Sequence, residues 1–135
     1  MATLKKYKEH AQFTGPLEVV EIEYDFAKDA GSTGALDIIK LKEAAVLVDA
    51  YTKVVAACTS AGSATLIWGV KAGDTDACLD ATSGAVASLT LGAVIPGETA
   101  SRHIKLAADD ILEMTIGTSA LTAGKVKFVM VFQKF

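Results

Sequence analysis

Cysteine, proline, histidine and aromatic side chains are all scarce in this sequence, and each scarcity closes off a class of protein. Cys58 and Cys78 are too few and too isolated for a disulfide framework or a zinc site, so both are expected as reduced, buried small hydrophobes made in a reducing cytoplasm. Of the two histidines, His10 lies near the N-terminus, which leaves His103 as the sole base for a Ser-His-Asp triad. No serine sits in a Gly-x-Ser-x-Gly setting to serve it, and no enzyme is expected. Gly31-Ser-Thr-Gly34 has neither the glycine spacing nor the lysine of a phosphate loop, and no cofactor or metal is expected.

Long apolar runs are missing too. A stretch such as Val54 to Cys58 falls far short of the ~20 residues that span a bilayer, so no membrane partner is expected. The first ten residues contain lysines but no apolar stretch after them, which is no secretory signal. Charged residues make up 21% of the chain and leave a net charge of −3, which argues against nucleic acid as a partner.

What the chain has in quantity is small and branched aliphatic residues: 51% is hydrophobic, mostly Ala, Val, Leu and Ile. A chain of 135 residues builds one core and buries roughly 65–70% of its unfolded surface. So much apolar material with so little charge implies that part of the surface is covered, and closed symmetry is the usual way. A homo-oligomer is expected.

Two regions are predicted: an N-terminal arm, 1–16, and a single β domain, 17–135. In the arm Lys5, Lys6, Lys8 and His10 are interleaved with Leu4, Tyr7 and Phe13, and Gly15-Pro16 ends the segment. Three lysines are a small footprint for nucleic acid, and a solvated terminus needs no apolar anchors, so Leu4, Lys5, Lys6, Tyr7, Lys8 and Phe13 are the candidate residues for gripping a partner. After the break, Val20, Ile22, Tyr24 and Phe26 alternate with Glu21, Glu23 and Asp25, the period of a strand with one face in water. Residues 27–34 read as a glycine-bearing loop and 36–41 as a short strand.

Residues 44–58 carry two signals. Ala44, Leu47, Val48, Tyr51, Val54, Val55 and Cys58 recur at helical spacing, whereas Val46, Val48, Thr52, Val54 and Val55 favour a strand. The strand reading has Thr59–Ser63 turning directly into 64–70 as a hairpin. The block Gly62 to Leu79 reads as a short strand, a tight turn and a loop return. Further strands are expected at 86–91, 102–106, 111–117 and 126–135, separated by turns such as Pro96-Gly97 and Thr122-Ala-Gly124. The sum is an all-β fold: an antiparallel β-sandwich or jelly-roll-like barrel of about six to eight short strands.

Other candidate sites have plainer readings. Asp74, Asp76 and Asp80 could hold a cation, but Gly73-Asp74 is turn chemistry and the loop lacks the glycine and bidentate glutamate of a calcium site. Asp109-Asp110 reads as a turn into the next strand, and Glu113 within that strand is expected to face solvent. Trp68 could stack on a sugar or a base, yet it shares a strand face with Leu66 and Val70 and reads as core.

The block Gly62 to Leu79, with its Ala72-Gly73-Asp74-Thr75-Asp76-Ala77 loop, then Ala85-Val86-Ala87-Ser88-Leu89-Thr90, resembles small structural proteins of tailed bacteriophages. Ser119-Ala-Leu-Thr-Ala-Gly-Lys-Val126 before a hydrophobic last strand is similar to the ending of the same proteins. The resemblance covers the second half of the chain and the first half in outline. It implies a capsid decoration or cement protein: a compact β domain, often trimeric, that sits on the outer surface of the phage head and clamps major capsid subunits together, with no catalytic residues. Two other classes stay open: a tail- or fibre-associated phage module, and a carbohydrate- or ligand-binding sandwich built on Trp68 and the Asp74–Asp80 loop.

Overall fold

The computed structural model describes residues 2–11, 17–98 and 102–134, the first segment by its backbone. In chain order these form β1 (Ala2–Ala11), β2 (Leu17–Asp25), a helical turn α1 (Phe26–Asp29), β3 (Gly34–Leu41), β4 (Ala45–Ser60), β5 (Thr65–Val70), β6 (Val94–Pro96), β7 (Ile104–Leu106), β8 (Ile111–Gly117) and β9 (Leu121–Lys134). One sheet of four strands runs β1-β3-β8-β5, and one of five runs β2-β9-β4-β6, with β7 also paired to β4. The fold is the expected all-β sandwich, open rather than closed into a barrel. Its pairs are antiparallel except β1 on β3, which is parallel.

The alternation in β2 works as its sequence predicts: Ile22 and Tyr24 are buried, while Glu21 and Glu23 point the other way. The strand stops at Asp25, whose carboxylate accepts the Ala27 N–H at 3.0 Å and caps α1. The loop expected from residue 27 therefore begins inside a helical turn.

Residues 44–58 belong to a strand, and the structure explains their helical look. Buried positions in β4 are Ala45, Leu47, Ala50, Thr52, Val54 and Cys58. The steps of three and four coincide with register shifts between Leu47 and Asp49 and between Val54 and Thr59 against β9. Each irregularity resets which face is inward, so a bulged strand imitates a helix period.

The hairpin expected after Ser60 does not form. β4 pairs with β9, β6 and β7, whereas β5 pairs with β8 in the other sheet, so the link crosses the sandwich. That crossing puts Trp68 of β5 against Phe128 of β9, ring centroids 5.0 Å apart, and lets the indole Nε1 donate to Thr52 Oγ1 at 2.8 Å. The two sheets meet there, around fully buried Tyr24, Leu47, Leu66 and Phe132.

The block 62–79 does form a strand, turn and return. Val70 donates to the Asp74 carbonyl at 2.9 Å, and the chain comes back to a bridge between Trp68 and Leu79. Three other expectations need correction. Residues 86–88 make a single 3-10 turn, not a strand. The last strand starts at Leu121, so Thr122-Ala-Gly124 lies within it; the turn comes just before, with Thr118 at φ 69°. Gly124 has φ 140° and a Cβ there would lie 3.0 Å from Cys58 Cα, so the glycine admits the bulged end of β4 rather than making a turn. The strands are also not uniformly short, since β4 has 16 residues and β9 has 14.

Candidate interaction surface

Of the candidate grip residues, Leu4, Lys5, Lys6, Tyr7 and Lys8 fall on β1, whose backbone runs beside β3 with Thr3 opposite Asp37 and Lys8 opposite Ile39. Phe13 and Gly15-Pro16 lie outside the described residues. β1 and β2 are the end strands of their two sheets.

The internal candidates resolve into structural roles. Asp74 Oδ1 accepts the Asp76 N–H at 3.3 Å and Asp80 Oδ1 accepts the Ser83 N–H at 2.8 Å, as turn carboxylates do. Among the described residues no group of three acidic, histidine or cysteine side chains could hold a metal ion. Asp109, at φ 70°, and Asp110, whose Oδ2 accepts the Ala107 N–H at 2.9 Å, form the turn into β8. Trp68 is fully buried and has no ring face to offer a sugar. Cys58 and Cys78 are free and buried, and burial pushes their thiols up to about 11 and about 12.

Glu113 is the exception. It was expected in solvent, yet it is only 7% exposed, and its Oε2 has no hydrogen-bond partner. It stands in register between Asp37 of β3 and Gly69 of β5. The 74–77 loop crosses over Gly69, where a Cβ would meet Ala77 N at 2.7 Å and Thr75 C at 2.8 Å. That roof removes the water the alternation assumed. Burial raises the Glu113 pKa, and Asp37 adds to the rise while Lys71 opposes it. Lys71 Nζ itself lies 3.3 Å from Asp37 Oδ1.

Exposed apolar side chains gather instead on and beside the five-stranded sheet. The large hydrophobic side chains exposed among the described residues are Leu17, Val19, Val55, Leu91 and Val94, and all belong to this sheet or to the turn entering β6. They fall into two patches. Leu17 (59% exposed) and Val19 (65%) project from the β2 rim. Val55, Leu91 and Val94 stand at the opposite rim, beside a shallow groove of about 400 Å³ lined by Asp49, Tyr51, Lys53, Val94 and Pro96. Between the patches Glu21 pairs with Lys53 at 2.7 Å and with Lys127 at 3.2 Å. These bonds hold Glu21 below the usual carboxylate range. No local sequence signal marked this surface, because Leu17 and Val19 sit in a strand whose other apolar residues face the core.

No family model matches the chain, and no curated protein matches it. Solved structures do. A chain of the Cyanophage Pam1 capsid asymmetric unit aligns with a TM-score of 0.58 at 16% identity, over 93% of this chain and 94% of that one. A chain of the capsid of Ralstonia phage GP4 aligns with a TM-score of 0.65 at 14% identity, over 93% and 88%. A third, from the acidic stable capsid structure of Helicobacter pylori bacteriophage KHP30, has a TM-score of 0.61 at 12% identity, over 88% of each. No described helix is long and apolar enough to cross a membrane. The fold, along nearly its whole length, is one that occurs in chains of phage capsids.

Proposed function

We propose that this protein is a non-enzymatic structural component of a phage virion, and within it a decoration or cement protein. It is made in the host cytoplasm, binds the outer surface of the head as a homotrimer and stabilises contacts between major capsid subunits. The observation that carries the reading is the end-to-end likeness to capsid chains: each alignment spans nearly all of both partners, so the match is to chains of similar length rather than to one domain of a larger subunit. The two uncovered apolar patches on a chain with little charge also support a working life in contact with other chains.

A protein of this kind does no chemistry, so its effect comes from binding free energy that the intact shell offers and the burst shell does not. Three linked contacts act at high effective concentration, so modest contacts suffice. Leu4, Tyr7 and Phe13 of the N-terminal segment supply apolar anchors, and Lys5, Lys6 and Lys8 meet acidic capsid groups in an attraction that salt weakens. The test is co-sedimentation of the purified chain with heads that lack it, at low and high salt. Saturable binding to heads and none to isolated tails supports the reading; binding to tails alone would replace it with the tail-associated alternative. A chain lacking residues 1–14 is expected to bind heads at least tenfold more weakly, and equal binding would remove the segment from the contact.

A further inference from the structure

The geometry points to a covalent modification site: an amide bond between Lys71 Nζ and the side-chain carboxyl of Asp37, formed within the folded chain with Glu113 carrying the proton. Three neighbouring strands of the four-stranded sheet bring these groups together. Asp37 of β3 stands directly opposite Glu113 of β8, and Glu113 stands opposite Gly69 of β5. Side chains alternate along an extended chain, so Lys71, two residues past Gly69, returns to the same face. Its backbone N–H is held by the Ile111 carbonyl at 2.9 Å. Glu113 therefore occupies the middle strand, with the acid on one side and the amine on the other. Lys71 Nζ lies 3.3 Å from Asp37 Oδ1, the separation of a near-attack pair.

An ordinary surface ion pair keeps both of its ions in water. Here the Asp37 side chain is 17% exposed, and Glu113 is buried with an Oε2 that has no partner. The 74–77 loop closes over Gly69 beside them. Removing water favours the neutral amine and acid over the ion pair. It also favours the protonated form of Glu113, and a protonated carboxyl can give one proton while accepting another. The step balances without any co-reactant. One proton first passes from the Lys71 ammonium to the Asp37 carboxylate. The amine lone pair then attacks Asp37 Cγ, one oxygen of Glu113 takes a proton from the nitrogen, and the other delivers its proton to the departing hydroxyl. The Nζ–Cγ bond forms, a Cγ–O bond breaks, one water leaves, and Glu113 ends protonated as it began. The Lys71 side chain is 36% exposed, so hydration favours the ionic pair and the reaction is slow. The freshly folded chain is unlinked, and the bond accumulates afterwards.

Intact-mass measurement of the purified full chain, freshly refolded and after prolonged incubation, tests this. The aged chain is expected to be lighter by one water, with a digest containing two peptides joined at Asp37 and Lys71, and to melt at a higher temperature than the fresh chain because the link closes the loop between them. Chain kept in denaturant should retain its full mass. Lys71→Arg keeps the positive charge but cannot form the amide and should also stay at full mass. Glu113→Gln should lose water at least about a hundredfold more slowly, the scale of a positioned proton carrier. Circular dichroism matching that of the full chain would show that both variants fold. An aged full chain at its full mass overturns the bond, as does a water loss that persists in denaturant or in Lys71→Arg. A Glu113→Gln chain that reacts at the full chain's rate overturns the part given to Glu113.

Discussion

At the scale of single residues, two buried polar groups decide most. Thr52 and Trp68 satisfy each other between the sheets, at 2.8 Å and with no exposure. Thr52→Val keeps the shape but leaves the indole N–H without a partner, and an unpaired buried donor costs about 1–3 kcal/mol. The denaturation midpoint is expected to fall accordingly, read from the chain's single tryptophan; an unchanged midpoint would show that the bond contributes nothing. Glu113 works in the opposite sense. Burial lifts its pKa above the ordinary 4.5, so the folded chain holds this proton more tightly than the unfolded chain does. Stability therefore falls as pH rises from the ordinary carboxylate range through the raised folded value. Glu113→Gln removes that loss and should stabilise the protein at pH 7 by about 1 kcal/mol, the scale of one unpartnered buried group. In thermal melts the gain should vanish near pH 4, and a gain equal at both pH values would contradict the account.

At the scale of elements, local pattern was informative wherever one strand had one wet face and no irregularity. The stretch Val20 to Phe26 meets that condition and its strand was legible. β4 does not, because its bulges reset the inward face and superimpose helical spacing on β-branched residues. Turn chemistry in Thr59–Ser63 announced a change of direction but not a change of sheet, since the choice of partner is made by strands far away in sequence. Val86 and Leu89 looked like a strand because they are apolar, yet they pack as a turn over the core, with Val86 N bonded to the Ala64 carbonyl at 3.0 Å. Glu113 was misplaced for a related reason: the loop that roofs its surface returns over β5, from another part of the chain. Gly84 shows how closely that return is fitted. Its N–H donates to Asp80 O at 2.7 Å, and a Cβ there would meet the Leu66 carbonyl. Gly84→Ala is expected to cost about 1–3 kcal/mol by pushing the loop off β5. An unchanged melting temperature would mean that the loop shifts freely.

At the scale of the whole molecule, strand alternation and turn spacing pointed to an all-β domain, low charge to a surface to cover, and the residues of 62–79 and 119–126 to phage structural proteins. The sandwich and its likeness to capsid chains agree with both. The exposed apolar patches were not legible, because a patch is made by neighbours in space: Leu17 and Val19 gain meaning only when β2 is known to be a rim, and Val55, Leu91 and Val94 only when β6 is placed beside β4. The central claim is that this surface and the N-terminal segment serve a shell. It is tested most directly by heating DNA-filled heads with and without the bound protein and recording the temperature at which DNA is released. The account predicts release several degrees higher for heads saturated with the protein, with the increase lost on removing it and restored on adding it back. Heads that bind the protein and release DNA at the same temperature would contradict it.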